Sequence, residues 1–148
     1  MGKNDRRRVL RRSQPAVDGR RIAFSFQYLV SDQGRFAVSN CGQDYMDSLL
    51  RAMQRYSGYT VEQFQTVDTQ DDPYRHPIDF AGSAEPNGFP IDPIDDELFT
   101  DPGDCWQFGL FDDDDTYSYT FRVHGFIFRG IFFVVWLDPA HRLFGKDG

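Results

Sequence analysis

The chain has only two cysteines, Cys41 and Cys105, and they form no metal or redox spacing. Two small thiols in a reducing compartment are the expected reading, so the cytoplasm is the expected location. Long apolar runs are also missing. The longest, residues 131–137, is seven residues, against the roughly 20 needed to cross a bilayer. The arginine-rich residues 6–12 are not followed by an apolar stretch, so neither a secretory leader nor a membrane anchor is expected. Glycine-rich phosphate loops, serine nucleophile elbows and catalytic Cys/His signatures are absent, which excludes most nucleotide-binding enzymes and common hydrolases. Base is scarce in one long stretch, because residues 68–115 hold fifteen carboxylates and a single basic residue, Arg75.

What is present is aromatic and unevenly charged. Aromatic residues make up 16% of the 148, with 15 Phe, and such rings supply core area without many Leu or Ile. The length suits one domain burying roughly 70% of its unfolded surface. The net charge of −7 divides sharply: residues 1–21 carry eight Lys/Arg against Asp5 and Asp18, and residues 22–148 carry eight bases against 21 acids. Residues 1–20 show no apolar periodicity and are read as a disordered basic arm, with residues 21–148 as one domain. The arm either lies over its own acidic body or contacts nucleic acid phosphates through Arg6, Arg7, Arg8, Arg11 and Arg12. A body this acidic would repel a duplex, so such a contact would be local and salt-sensitive.

Alternation over residues 21–30 predicts a half-buried strand, with Ile22, Phe24, Phe26, Tyr28 and Val30 on one face. Residues 32–34 signal a turn, and residues 35–39 read as a short partner strand. One helix follows. Asn40 is placed to cap it, Met46, Leu49, Leu50, Met53 and Tyr56 form its apolar stripe, and Gly58 is placed to end it. Thr60 and Gln63 resemble a capping box opening a second, short helix. From residue 68 to 104 the pattern dissolves, with six of the eight prolines. A connection this long is expected to wrap the body through Phe80, Phe89, Ile91, Ile94, Leu98 and Phe99, with one helical turn over residues 95–99. Residues 106–110 read as a strand. Arg129 and Gly130 read as a two-residue hairpin turn, Gly130 supplying the positive φ. Simple register then pairs Phe128 with Ile131, Ile127 with Phe132, Phe126 with Phe133, His124 with Val135, Val123 with Trp136 and Arg122 with Leu137. Both faces are apolar near the turn, so the hairpin should be central or covered on both sides.

The polar insertions lie toward the open end of that hairpin. His124 and His141 as an acid–base pair, with Arg122 on phosphate and Tyr119 assisting from the same strand, would suit metal-independent cleavage of RNA. Against this, Asp138 and Pro139 suit a turn in which the carboxylate accepts backbone N–H bonds, leaving His124 a hydrogen-bonded sheet residue. Arg75 and His76 sit inside the acidic stretch, where Arg75 either neutralises neighbouring carboxylates or approaches the hairpin end. His76, His124 and His141 with Asp79 or Asp138 lack the tight spacing of a metal site. Asp112, Asp113, Asp114 and Asp115 lack the alternating ligands, central Gly and terminal Glu of a calcium loop. No metal and no cofactor is expected.

The segment Arg122, Val123, His124, Gly125 and Phe126, followed by residues 130–144, resembles the ending of small uncharacterised bacterial α+β proteins. Those also carry a Phe-rich first strand like residues 24–28 and a helix like residues 44–57. The resemblance covers most of residues 22–144 and implies the fold; it transfers no activity. The expected architecture is α+β: an antiparallel sheet of about four to six strands, one main helix packed on one face, and a long acidic, Pro-rich connection. The expected function is a non-enzymatic binding or regulatory protein. Its acidic body, with Arg75, His76, Asp112, Asp113, Asp114, Asp115 and Asp138 as binding residues, would engage a basic protein partner. The alternative is a small toxin-like ribonuclease using His124 and His141. An exposed Phe-rich face would also suit a homodimer, since closed two-fold pairs are the commonest assembly.

Overall fold

The computed structural model describes residues 19–30, 34–66, 75–91, 105–111 and 117–144, with the side chains of residues 111 and 117–120 outside the description. The basic arm through residue 18, the turn expected at residues 95–99 and the aspartates at 112–115 therefore lie outside the described residues. Among the described residues five strands form one sheet: β1 (Ala23–Ser25), β2 (Arg75–Pro77), β3 (Cys105–Phe111), β4 (Tyr117–Phe128) and β5 (Ile131–Asp138), in the spatial order β1-β5-β4-β3-β2. Two helices, α1 (Gln43–Tyr56) and α2 (Val61–Gln65), cover one face. The fold is α+β, a main helix on a sheet.

The sheet is mixed where a purely antiparallel one was expected. β1 runs parallel to β5, pairing Ala23 with Ile131 and Ser25 with Phe133, while the other three pairings are antiparallel. Alternation reports which face a residue takes and not the direction of its partner, so the sequence carried no signal for this. β1 is also shorter than the alternation suggested. The Leu29 N–H bonds the Phe26 carbonyl at 3.1 Å, and this turn reverses the facing. Ile22, Phe24 and Leu29 join the helix-side core, Tyr28 and Val30 join the opposite one, and Phe26 is left 44% exposed. Residues 35–39 are not a strand. They form two 3-10 turns, Gly34–Phe36 and Val38–Asn40.

α1 begins at Gly42 as its N-cap with no side-chain cap, so Asn40 does not cap it; the Asn40 amide instead donates to the Gly34 carbonyl at 2.9 Å. The buried face of α1 is Tyr45, Ser48, Leu49, Ala52 and Tyr56, with Leu50 65% exposed. The small Ser48 and Ala52 let the helix lie close over β3, and the large Tyr45 and Tyr56 fill the flanks, so the face is rotated from the Met/Leu stripe. α2 has the expected box: Thr60 Oγ1 accepts from the Gln63 N–H, and Gln63 Oε1 accepts from the Thr60 N–H.

The opposite face is covered by irregular chain. Ile78, Phe80, Phe89 and Ile91 from residues 78–91 pack there, as a wrapping connection should, together with Phe36 and Leu143. At the hairpin turn Arg129 and Gly130 both take positive φ, 52° and 82°, the requirement of a type I′ turn. The register runs as expected from Phe128–Ile131 through Phe126–Phe133, then a bulge between His124 and Gly125 inserts Val135. Beyond it His124 pairs with Trp136, Val123 with Leu137 and Arg122 with Asp138, each one residue on from the simple register. Gly125 is required here, because a Cβ would lie 2.1 Å from the Phe133 carbonyl oxygen and 2.5 Å from a Phe132 ring carbon.

Candidate functional site: the polar end of the second face

The bulge decides where the polar side chains fall. Across β5, β4, β3 and β2, one cross-strand row reads Trp136, His124, Gln107 and His76, and the next begins Asp138, Arg122 and Gly109. Because side chains alternate along a strand, His124 and Arg122 share the face that carries Phe126. The half nearest the turn is apolar and the half at the open end is polar. Without the inserted residue Asp138 would fall opposite Phe121, on the helix side.

His124 is 0% exposed, and its Nε2–H donates to Asp138 Oδ2 at 2.9 Å. Asp138 is equally buried and takes two more donors, the Arg142 N–H on Oδ1 at 2.8 Å and the Leu143 N–H on Oδ2 at 3.1 Å. Burial would raise its pKa, but the His124 N–H and these backbone donors outweigh that and hold the carboxyl below its ordinary range. Burial lowers His124 from its ordinary value of 6.5, more than the carboxylate raises it. The pair is therefore a neutral imidazole on an ionised carboxylate. Tyr45 crosses from α1 to the same strand ends, its hydroxyl donating to the Arg122 carbonyl at 2.7 Å and accepting from the Asp138 N–H at 3.3 Å.

The carboxylate thus ties down the turn after Pro139, the structural role weighed for it from sequence. Residues 141–144 continue across the face, Leu143 accepting from the Ala84 N–H at 2.8 Å and the Phe144 ring standing edge-on to His76 at 6.1 Å. His141 is half-buried at φ 54°, with its imidazole lowered by burial and by the neighbouring Arg122, and it is also within electrostatic reach of His124 and His76. His76 Nδ1 donates to the Pro77 carbonyl at 2.8 Å, which leaves Nε2 to accept from the Gln107 amide at 2.7 Å. All three histidines and Arg122 gather at one end of one face.

What the cluster offers chemically is limited by its cover. The Asp138 bond orients His124 so that Nδ1 carries the lone pair, and that atom has no hydrogen-bond partner among the described residues. Such a dyad is a potential base. Phe36 and Trp136, edge-on at 6.1 and 6.4 Å, close it from solvent.

Arg75 does not approach the hairpin end. It is one residue from His76 and so faces the helices, buried, with its guanidinium over the rings of Tyr56, Tyr59 and Phe64 at 5.0–5.6 Å. It donates to the Gln63 and Thr66 carbonyls at 3.2 and 3.4 Å, at the end of α2. The Tyr119 backbone lies in β4, its side chain outside the description. The Cys41 and Cys105 thiols lie in the cores on opposite faces of the sheet and are not bridged to each other. Burial, then Asp138, pushes the Cys41 thiol up to about 11, so it is not a thiolate near neutral pH.

Tyr45, Gln107 and Phe36 complete the cluster and were not singled out from sequence. Tyr45 and Gln107 lie on a helix and a strand whose facing depends on packing, and Phe36 on a turn read as a strand. Among the described residues no group of three or more His, Cys, Asp or Glu is placed to hold a metal ion, and no helix is long and apolar enough to cross a membrane. No known protein family, curated protein or solved structure matches the chain.

Proposed function

We propose that the protein is a cytoplasmic, non-enzymatic binding protein whose acidic body takes a basic partner. The observation that carries this is the inward turn of Arg75. It is the single base among the fifteen carboxylates of residues 68–115, and its buried guanidinium lies against helix carbonyls and aromatic rings under α1 and α2. With fifteen carboxylates to one base, residues 68–115 carry a large excess of negative charge, and an outside cation is the natural complement. Two thiols placed on opposite faces of the sheet, with no bridge between them, fit a reducing compartment. Arg6, Arg7, Arg8, Arg11 and Arg12 supply an accessory contact to phosphate or to the body itself.

The test is titration with an arginine-rich peptide at about 50 mM and about 300 mM salt, where screening differs strongly. Tight binding at low salt that weakens at high salt, and weakens again when Asp112, Asp113, Asp114 and Asp115 are all changed to Asn, is expected. Equal binding by parent and variant, or none at low salt, rejects the reading. A ribonuclease built on His124 and His141 has less support, because an acid or base must reach the proton it moves and His124 is 0% exposed. RNA cleavage that disappears in His141→Ala would reverse that order.

A further inference from the structure

Beyond the Phe36 and Trp136 rings that close off His124, a cleft of about 310 Å³ opens on the same face, lined by Val30, Arg35, Phe36, Glu85, Pro90 and Trp136. It lies between the turn Gly34–Phe36 and the loop at residues 85–90, and its floor is the Phe36–Trp136 stack, with centroids 4.7 Å apart and planes at 18°. Its size is at the lower end of the roughly 300–1,000 Å³ typical of small-molecule sites.

Its polar groups are of opposite sign and close together. Arg35 Nε and Glu85 Oε1 stand 3.9 Å apart, with side chains 36% and 39% exposed. A pair that long and that open contributes little, so either partner can be exchanged for a better one. An α-amino acid carries its carboxylate and ammonium on one carbon, which matches two opposite charges at this separation. The guanidinium fork suits the carboxylate, Glu85 suits the ammonium, and the apolar walls of Val30 and Pro90 over the aromatic floor suit a large apolar side chain.

We propose that this cleft binds a free α-amino acid with a large apolar side chain, its carboxylate on Arg35 and its ammonium on Glu85. The cleft uses one carboxylate of residues 68–115, Glu85, but a free amino acid held there does not depend on the basic-partner reading. Trp136 makes binding observable, because the chain has 2 Trp and the other, Trp106, belongs to the helix-side core.

The experiment is a titration of the full chain with L-phenylalanine, followed through the two indole N–H resonances, with Trp106→Phe to assign them. A saturable shift at Trp136 alone, with a dissociation constant of about 0.1–1 mM, is expected. 3-Phenylpropionate and 2-phenylethylamine, each lacking one charge, should bind about tenfold or more weakly. Glu85→Gln should abolish the preference over 3-phenylpropionate, and Arg35→Gln the preference over 2-phenylethylamine. No saturation by about 10 mM, a shift at Trp106 instead, or half-ligands binding within about threefold of L-phenylalanine overturns the proposal.

Discussion

Replacing Asp138 by Asn probes the centre of the polar end while barely changing its volume. The carboxylate faces three donors, the His124 Nε2–H, the Arg142 N–H and the Leu143 N–H, at 2.8–3.1 Å. Asn offers one carbonyl oxygen and presents an NH2 group where an acceptor stood. In either amide orientation the Arg142 or the Leu143 N–H loses its acceptor, whatever the tautomer of His124. A hydrogen bond to a charged group contributes about 1.5–3 kcal/mol, and breaking a buried pair costs about 3–5 kcal/mol. Allowing for the tautomer shift, the expected loss is about 2–4 kcal/mol by urea denaturation, with the melting temperature falling by about 6–12 °C. The loss should also be local. Protection of the Arg142, Leu143 and Ala84 amides against hydrogen exchange should drop first, since the Ala84 N–H depends on the Leu143 carbonyl that the turn positions. A loss under about 0.5 kcal/mol with those amides still protected would refute the clasp.

His124 and His141 lie below their ordinary value of 6.5, so the unfolded chain binds more protons as pH falls through that value. Stability should therefore fall from about pH 7 toward pH 5, by at most about 1.4 kcal/mol per pH unit for each group, and His124→Gln should flatten the slope in equilibrium denaturation. The Asp138 contribution has the other window: it is present above the ordinary carboxylate range and is lost only as pH falls through the depressed folded value. Gly125→Ala should destabilise by about 3 kcal/mol or more or prevent folding, measured by thermal melting, because backbone blocks the new methyl. Arg129→Asn should raise stability by about 0.5–1 kcal/mol in the same assay, since Asn takes positive φ more readily; an exposed contact of Arg129 with Phe128, 5.1 Å to the ring centroid, offsets part of the gain.

Local chemistry was legible in the sequence and long-range choice was not. The Thr60–Gln63 box and the Arg129–Gly130 turn are set by residues within a few positions of each other, and both formed. The existence of α1 was legible, but its buried face was not. Counting apolar residues favours Leu50 over Ser48 and Ala52, whereas a helix against a flat sheet gains more from small residues that permit approach. The bulge was invisible for a related reason. Val134 and Val135 are alike, both faces of β5 are buried, and sliding the pattern by one exchanges one Val for another. That unreadable slip placed Asp138 beside His124. The burial of His124 was equally hidden, since its cover comes from Phe36 and the 139–144 segment, distant in sequence from each other. Only the gathering of Arg122, His124, Asp138 and His141 at the open hairpin end could be read in advance.

The place of β5 between β1 and β4 has a consequence for how the chain is made. β1 meets its hydrogen-bonding neighbour only at residues 131–133, about a hundred positions later. At about 5–20 residues per second of synthesis, the first strand waits roughly 5–20 s for its partner to appear. During that interval α1 is complete, but β3, β4 and β5, the sheet it packs on, are not. Closure of so long a loop comes before any reward from the contacts it permits, so folding should be slow for the size and should finish only after the last strand is free. Until then the nascent chain presents unpaired strand edges and a row of phenylalanines, the surface that chaperones hold.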